Sequence, residues 1–435
     1  MRLSVLLLLA ALVGSAWPRS GVQAQATGEW ELLPNSPARP GRHDDVFFVD
    51  DRNGWVVNGN GEVWRTLNGG STWIQSLVLD PFLRSVSFAT PQIGWVGALF
   101  GPVRLFETRD GAVTITDVSA RIFPQIPGGI CGLWAVNEQV VYGVGQFSEP
   151  AYVIKTTDGG QTWMSQDMSA YANTLIDVFF FDELRGFVVG GVGSFPDFIQ
   201  PVVLMTEDGG ATWSTRHTGT TVGGWGWKLS FPSADVGFIS VEHHGNEGIV
   251  LKTTDGGLSW TELAFANGGS LQGLGFITPD LGWTSGRGVS SATADGGANW
   301  DQIGLDGIIN RFRFLGDTLG FAVGERIYRY RAKPTATEPT APPVTTTLGP
   351  GVPNPFDGTL IVSYDLGTEV RVRIAVYDVL GRRVASLLDL ERPPGQYTAA
   401  WDGRLASGGF APAGVYLIRL EAGSTVRTAS VTLLR

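Results

Sequence analysis

The stretch Lys252-Thr253-Thr254-Asp255-Gly256-Gly257-Leu258-Ser259-Trp260 decides how the rest of the chain is interpreted. Its threonines end one strand, Asp-Gly-Gly turns the chain, and Ser-x-Trp begins the return strand of a β-hairpin. Two adjacent glycines supply the positive φ angles that a tight turn requires. The carboxylate of Asp255 can accept hydrogen bonds from the turn's own backbone, and Trp260 offers a large apolar ring for packing.

The same turn recurs, with copies that end at residues 73, 115, 163, 213, 260 and 300. Repeats of about 40–50 residues that are rich in short strands are typical of β-propellers. We predict that the acid or amide of each copy, and the tryptophan that ends every copy except the one with Ile115, have a structural role in the turn. These residues are Asn68, Trp73, Asp110, Asp158, Trp163, Asp208, Trp213, Asp255, Trp260, Asp295 and Trp300.

A second repeat, a glycine beside an aromatic residue, raises the number of units to seven. The last unit has strand patterns but neither the turn nor a fourth strand, whereas residues 28–33 resemble a strand that follows a turn. We therefore predict that 29–33 pairs with 326–331 and closes the ring, which removes the free edges of an open array. The glycine–aromatic pairs begin at Gly54, Gly94, Gly186, Gly237, Gly282 and Gly320, with Tyr142-Gly143 in reversed order.

The remaining segments have other compositions. Residues 1–26 are predicted to be a secretory signal peptide, because a charged end, a short apolar core and a small-residue cleavage site follow one another. Residues 27–332 form the predicted propeller, 333–349 a Pro/Thr-rich linker, and 350–435 a small Ig-like β-sandwich of short alternating strands. The predicted fold class is therefore all-β, and no transmembrane segment is predicted.

Charge and cysteine content exclude some functions. The chain has a formal charge of −10, and −12 once Arg2 and Arg19 of the signal are subtracted. An acidic chain has no general affinity for nucleic acid. Cys131 is the only cysteine, so no intramolecular disulfide can form, and we interpret it as a buried small hydrophobic residue. No metal and no cofactor is predicted, because neighbouring His243 and His244 would point to opposite faces of a strand.

The turn resembles the Asp-box, or BNR repeat, of sialidases and related propellers. The fuller pattern, an aromatic strand with Gly54-Trp55 or Gly186-Phe187 followed by Thr-x-Asp-Gly-Gly-x-Thr-Trp, resembles the photosystem II stability and assembly factor family. The resemblance covers about 300 residues and implies a propeller fold. It implies little about activity, because Asp-boxes serve the turn and lie away from the binding face.

The C-terminal segment resembles the type A sorting domain of the type IX secretion system, which is similar to Ig-like domains of flagellar hook-capping proteins. The resemblance implies a Bacteroidetes-type bacterium, export by the type IX machinery as a partner, and a secreted or cell-surface location. A role in photosynthesis is therefore not expected. The matching residues are Pro353, Asn354, Pro355, Phe356, Gly381, Arg382, Trp401, Gly414 and Tyr416.

The irregular loops at 116–130, 190–201 and 214–226 are predicted to lie on the face opposite the Asp-boxes, where they would form a recognition rim. Aromatic side chains with a few charges are typical of such surfaces, and the partner could be a protein or a glycan. We therefore predict a non-enzymatic binding or assembly module. The predicted rim residues are Arg121, Phe123, Phe195, Asp197, Phe198 and Trp225.

Two enzyme classes are the alternatives to a non-enzymatic binding module. A sialidase would need an arginine triad and an Arg-Ile-Pro motif that the chain lacks. An inverting glycoside hydrolase of the Asp-box type remains the alternative, since it needs two carboxylates about 6.5–9.5 Å apart. The carboxylates placed near the channel or the rim are Asp44, Asp45, Asp177 and Asp197.

Overall fold

A computed structural model describes residues 28–37, 42–145, 150–194, 196–245, 248–287, 289–332 and 346–434. The chain divides into two compact units, Met1–Thr335 and Ala336–Arg435. The predicted signal peptide lies outside the described residues. The predicted linker is too long, because the first strand of the second unit already begins at Thr347.

The first unit is built from short strands, with one 3-10 turn at Ser119–Arg121. In chain order the strands are β1 (Gly28–Leu32), β2 (His43–Phe48), β3 (Gly54–Asn58), β4 (Glu62–Thr66), β5 (Ile74–Val78), β6 (Phe82–Phe88), β7 (Gly94–Leu99), β8 (Leu105–Thr108), β9 (Thr116–Asp117), β10 (Ile122–Phe123), β11 (Gly132–Ala135), β12 (Val141–Gly145), β13 (Tyr152–Thr156), β14 (Trp163–Asp167), β15 (Thr174–Phe180), β16 (Gly186–Val192), β17 (Gln200–Thr206), β18 (Ser214–Thr218), β19 (Gly224–Ser230), β20 (Gly237–His243), β21 (Ile249–Thr253), β22 (Thr261–Ala264), β23 (Leu271–Phe276), β24 (Gly282–Gly286), β25 (Val289–Thr293), β26 (Asp301–Ile303), β27 (Arg311–Leu315), β28 (Leu319–Val323) and β29 (Ile327–Ala332).

Within the described residues these strands form seven sheets, six of four strands and one of five. We number the sheets as blades 1 to 7, starting from the sheet that contains β2. The first strands of successive blades, β2, β6, β11, β15, β19, β23 and β27, each contact the next, and β27 contacts β2. The blades therefore close into a ring around a channel, which confirms the predicted β-propeller.

The ring closes through its N-terminal strand. β1 pairs antiparallel with β29, from Gly28 opposite Ala332 to Leu32 opposite Tyr328. β1 thus supplies the outermost strand of blade 7, whose other strands are β27 to β29. The predicted pairing of 29–33 with 326–331 is confirmed, and it satisfies an edge that the seventh blade would otherwise expose.

The glycine–aromatic repeat joins neighbouring blades. The aromatic residue of a second strand stacks on a phenylalanine of the next blade, with ring centroids 3.5 Å apart for Trp55 and Phe88 and 3.6 Å apart for Tyr142 and Phe180. Phe321 of blade 7 stacks on Phe48 of blade 1 in the same way, at 3.5 Å. The repeat therefore supplies interblade packing, including the contact across the closure.

The Asp-box turns are hydrogen-bonded as the sequence predicts. The carboxylate of Asp255 accepts from the Thr253 hydroxyl at 2.8 Å and from the backbone N–H and hydroxyl of Ser259 at 3.0 and 2.6 Å. Gly256 and Gly257 have φ of 72° and 84°, which a side chain would strain. The carboxylate thus replaces backbone partners in a turn that its two glycines make tight.

We expect Asp255→Asn to keep this turn but to weaken the acid dependence of stability. The Ser259 hydroxyl and N–H lower the pKa of Asp255 to about 2. Its contribution is therefore present above the unfolded pKa of about 3.9 and is lost as the pH falls through 2. Asn68 already makes such a turn in blade 1, accepting from Thr72 N–H at 2.9 Å. Urea unfolding should show that the free energy of unfolding falls less between pH 7 and pH 3 for Asp255→Asn than for the native chain. An equal loss in both proteins would contradict the expectation.

The second unit forms two antiparallel sheets of three and four strands. Phe356, Trp401 and Tyr416 lie buried between them in one hydrophobic cluster, so the predicted sandwich encloses a single core. Its strands are β30 (Thr347–Val352), β31 (Leu360–Leu366), β32 (Val370–Asp378), β33 (Arg383–Arg392), β34 (Gly395–Trp401), β35 (Gly414–Ala422) and β36 (Thr425–Leu433).

Candidate functional site

The blade topology fixes which loops share a face. Because the strands of a blade alternate in direction, the Asp-box turns lie on one face, which we call the turn face. The loops from second to third strands and from blade to blade lie on the opposite face, which we call the rim face. Each first strand begins at the rim face and lines the channel.

The most exposed predicted rim residue is Phe198, whose side chain is 73% accessible. Its loop is held by hydrogen bonds, with Gly193 N–H donating to Asn173 Oδ1 at 2.6 Å and Phe198 N–H to Ser194 O at 2.9 Å. Asp197 lies 3.8 Å from His244 of the next blade. An apolar ring is thus presented to solvent by a loop of defined conformation, as recognition surfaces require.

Two further loops support this one. Gly223 N–H donates to Ile199 O at 2.7 Å, and His244 N–H donates to Gly223 O at 2.8 Å. The buried His243 ring contacts Val222 O at 2.9 Å. The rim segments of blades 4 and 5 are therefore tied together by backbone hydrogen bonds and carry an exposed Val222 beside Phe198's loop.

Sequence reasoning missed Phe100, which lies on the same face in blade 2. Its side chain is 66% accessible and its φ is +57°, a left-handed conformation that costs a non-glycine residue about 1–2 kcal/mol. Its ring contacts Phe82 edge-on at 6.1 Å. Strain that presents an apolar ring to solvent is a feature of binding loops. The local signal was Phe100-Gly101-Pro102, a turn sequence between two strands.

Three of the other predicted rim residues lie elsewhere. Arg121 donates to Glu107 at 2.6 Å and to Gly160 O of an Asp-box turn at 2.9 Å. Phe123 pairs with Met164 in β10, on the outer edge of blade 3. Both therefore lie toward the turn face, because 116–130 folds back along the neighbouring blade. Trp225 is only 5% accessible, because it lies in β19, which begins at Gly224 and lines the channel. Phe195 lies outside the described residues.

The middle of the channel holds a buried ion-pair network. Arg311 donates to Asp45 at 2.8 Å and, through two nitrogens, to Asp177 at 2.8 and 2.9 Å. Asp45 also accepts Val86 N–H at 3.1 Å and Asp177 accepts Leu229 N–H at 3.0 Å. One guanidinium therefore links a carboxylate of blade 1 to a carboxylate of blade 4.

This network keeps Asp177 ionised. Burial opposes ionisation of Asp177, but Arg311 and Lys228 outweigh it and lower its pKa to about 2. A general acid needs a raised pKa, so Asp177 is unsuited to protonate a leaving group. Burial raises the pKa of Glu242 instead. Glu242 accepts Gln272 Nε2 at 2.7 Å near the mouth of the channel on the rim face.

The mouth of the channel is polar and its opposite end is aromatic. Arg42 lies 3.2 Å from Asp44 and donates to Gln272 Oε1 at 2.5 Å. Toward the turn face, the guanidinium of Arg313 lies 4.8 Å from the ring centroid of Phe47 and 5.3 Å from that of Trp134. The rim-face end of the channel therefore offers amide and carboxylate groups, whereas the described turn-face end offers aromatic rings around one guanidinium.

Neither a metal-ligand cluster nor a membrane-spanning helix is found in the part of the chain that the structure describes. Within the ranges described, no cluster of three or more His, Cys, Asp or Glu side chains could hold a metal ion. In that same part of the chain no helix is long and apolar enough to cross a membrane. The thiol of Cys131 is buried, and burial raises its pKa to about 11.

In the second unit, several residues of the predicted sorting motif make contacts within the fold. Asn354 Oδ1 accepts Thr432 N–H at 2.8 Å, and the ring of Phe356 lies 5.5 Å from that of Trp401. Arg382 donates to Asp378 at 2.7 Å across the turn that contains Gly381. The apolar side chains that this turn exposes are Val379 and Leu380.

Comparison with known proteins gives relatives of the propeller. Photosystem II assembly lipoprotein Ycf48 of Synechococcus sp. (strain CC9902) is 29% identical over 163 residues, which cover 34% of this chain and 42% of that protein. The match thus spans less than half of that relative's length. No family model matches the chain.

Solved structures share the fold. YCF48 from Cyanidioschyzon merolae superposes with a TM-score of 0.55 at 18% identity, over 69% of this chain and 98% of that one. YCF48 bound to D1 peptide gives 0.53 at 20% identity, over 70% and 96%. The GH74 enzyme of Niastella koreensis gives 0.52 at 13% identity, over 93% and 74%. The chain is therefore a β-propeller protein similar to Ycf48, and fold likeness extends to glycoside hydrolases.

Proposed function

We propose that the propeller is a non-enzymatic module that binds a protein or peptide partner through its rim face. The observation that carries this proposal is Phe198, an exposed aromatic ring on a loop held by hydrogen bonds to two neighbouring segments. Phe100 adds a second exposed ring on the same face. A similar propeller, YCF48, has been solved with a D1 peptide bound, which supports peptide binding as a use of this fold.

We expect Phe198→Ala to weaken partner binding at least tenfold, since truncation of an aromatic hot-spot residue costs about 2 kcal/mol or more. The full chain would be screened against a peptide library and a glycan array, and the affinity of selected ligands measured. Phe123→Ala is the matched control, because Phe123 is 67% accessible but lies on the outer edge of blade 3. Equal losses in both variants, or binding to glycans alone, would contradict the proposal.

The alternative is a glycoside hydrolase, and one observation favours it. Glu242 lies at the channel mouth with a raised pKa, as a general acid requires, and GH74 enzymes share the fold. Turnover of a polysaccharide that is lost in Glu242→Gln would place this alternative first. Asp197→Asn tests the exposed rim carboxylate in the same assay. The ion-paired Asp45 and Asp177 are excluded as the acid by their shared guanidinium.

We further propose that residues 1–26 direct secretion and that the second unit is a sorting signal for type IX export, so that the protein acts outside the cell or on its surface. The proposal rests on the motif resemblance and on a separate unit that begins at Ala336. Truncation after Ala332 should leave the propeller inside the cell envelope of the native host. Normal secretion of the truncated chain would overturn this part of the proposal.

A further inference from the structure

Among the residues that the structure describes, two buried cations of the channel have terminal nitrogens without a hydrogen-bond partner. The side chain of Arg84 is 3% accessible and that of Lys228 is fully buried. Both terminal nitrogens of Arg84 and the ammonium of Lys228 make no hydrogen bond. They lie over the same ring, since Arg84 Cζ is 4.8 Å and Lys228 Nζ 5.8 Å from the Trp227 centroid. An isolated buried charge is costly, so this arrangement favours a negative partner.

The nearby carboxylates are committed to other cations. Asp45 and Asp177 both accept from Arg311. Asp44 is 3.2 Å from Arg42 but 3.8 Å from Arg84. Positive groups therefore outnumber negative ones by one among the described side chains of the network. The cations are Arg42, Arg84, Lys228, Arg311 and Arg313, and the anions are Asp44, Asp45, Asp177 and Glu242.

Loss of a proton from Lys228 would balance the number of charges but would leave Arg84 without hydrogen bonds at its terminal nitrogens. Burial lowers the pKa of Lys228, and the charges of Arg311 and Arg84 lower it further. A guanidinium, however, cannot deprotonate in a protein. Arg84 would still have two terminal nitrogens without hydrogen bonds, with Asp44 as its nearest acid.

We propose that the channel binds a small monovalent anion, a halide or a carboxylate group, between Arg84 and Lys228 beside the ring of Trp227. This inference is independent of the proposed rim binding. Both cations are almost completely shielded from solvent, so a bound ion would have to lose its hydration shell, which favours a monovalent ion over a phosphate. The indole N–H of Trp227 donates to Asn310 at 3.0 Å, so the ring is held in place as a wall of this anion site.

Thermal unfolding of the full chain tests the anion site. Sodium bromide and sodium acetate would be titrated against a bulky sulfonate salt at the same ionic strength. An anion that binds only the folded state should raise the Tm by about 3–6 °C at ~100 times its Kd. A response to bromide identifies a halide site and a response to acetate alone a carboxylate site. A Tm that follows ionic strength and not the anion would overturn the proposal.

Two variants separate anion binding from a structural role of the lysine. Lys228→Met should abolish the anion response and raise the Tm in its absence, because a buried polar nitrogen without a hydrogen bond is removed. Lys252→Met is the control, since Lys252 Nζ donates to Gly296 O at 2.7 Å outside the channel, and it should retain the response. An unchanged response in Lys228→Met would refute the site. If that variant does not fold, crystals of the native chain soaked in bromide and, separately, in acetate decide, and lack of both a bromide anomalous peak and acetate density beside Arg84 contradicts the proposal.

Discussion

Replacement of Arg311 by methionine is expected to lower the free energy of unfolding by about 3–5 kcal/mol, the cost of leaving buried charges without their partner. Arg311 is the shared donor to Asp45 and Asp177, with all three side chains almost fully buried. Its loss leaves two carboxylates with only backbone N–H donors. Denaturant unfolding monitored by tryptophan fluorescence would measure the change.

A rescue and a control make this result specific. Adding Asp45→Asn and Asp177→Asn to Arg311→Met should restore most of the lost stability, because the uncompensated charges are then absent. Arg216→Met should cost no more than about 1 kcal/mol, since Arg216 pairs with an exposed Glu207 at 3.5 Å. A loss below 1 kcal/mol for Arg311→Met would show that the channel does not depend on this ion-pair network.

Trp30→Ala is expected to destabilise the propeller by about 3 kcal/mol, near the lower end of the range for large aromatic truncations because Trp30 is only partly buried. Its ring centroid lies 5.4 Å from that of Trp283, 5.5 Å from Phe312 and 5.4 Å from Tyr330. Deletion of residues 28–33 should cost more, since β29 also loses its outer partner.

Hydrogen exchange would locate the effect of these closure variants. Amides of β29 should lose protection in both variants, whereas those of β16 in blade 4 should change little. Ile74→Ala is a suitable control, because Ile74 is an exposed residue on the outermost strand of blade 1. If exchange accelerated equally in all blades, closure by β1 would not be a local determinant of stability.

The repeat made the propeller predictable from sequence. Each Asp-box is a local device in which Asp255, for example, bonds residues two and four positions away, so its spacing reveals the blades directly. The closure followed from counting strands. In the second unit, β33 (Arg383–Arg392) has several charged side chains and no clear alternation of buried and exposed residues, so its sequence alone does not indicate a strand.

The site was less predictable, for physical reasons that differ between residues. The exposure of Phe198 could be predicted because its loop is long and rich in turn residues. Arg121 and Phe123 were placed on the wrong side, since β10 pairs in parallel with a strand about 40 residues later, which no local pattern indicates. The channel network joins Arg311 to Asp177 across 134 residues and to Asp45 across 266. In the sequence these residues cannot be distinguished from other strand residues, because they come together only when the ring has formed.

The pairing of β1 with β29 also determines when the propeller can complete its folding. Gly28 and Ala332 are partners although about 300 residues separate them, and contacts of such long range slow folding because the chain must first lose the entropy of a very large loop. Of the strands of the ring, β1 is synthesised first and is thus the one that must wait longest for its neighbour. During that interval its apolar side chains and those of blade 7 are open to incorrect partners. We therefore expect chaperones to bind the N-terminal part of the propeller before its folding is complete. The ring should close only after blade 7 has been synthesised.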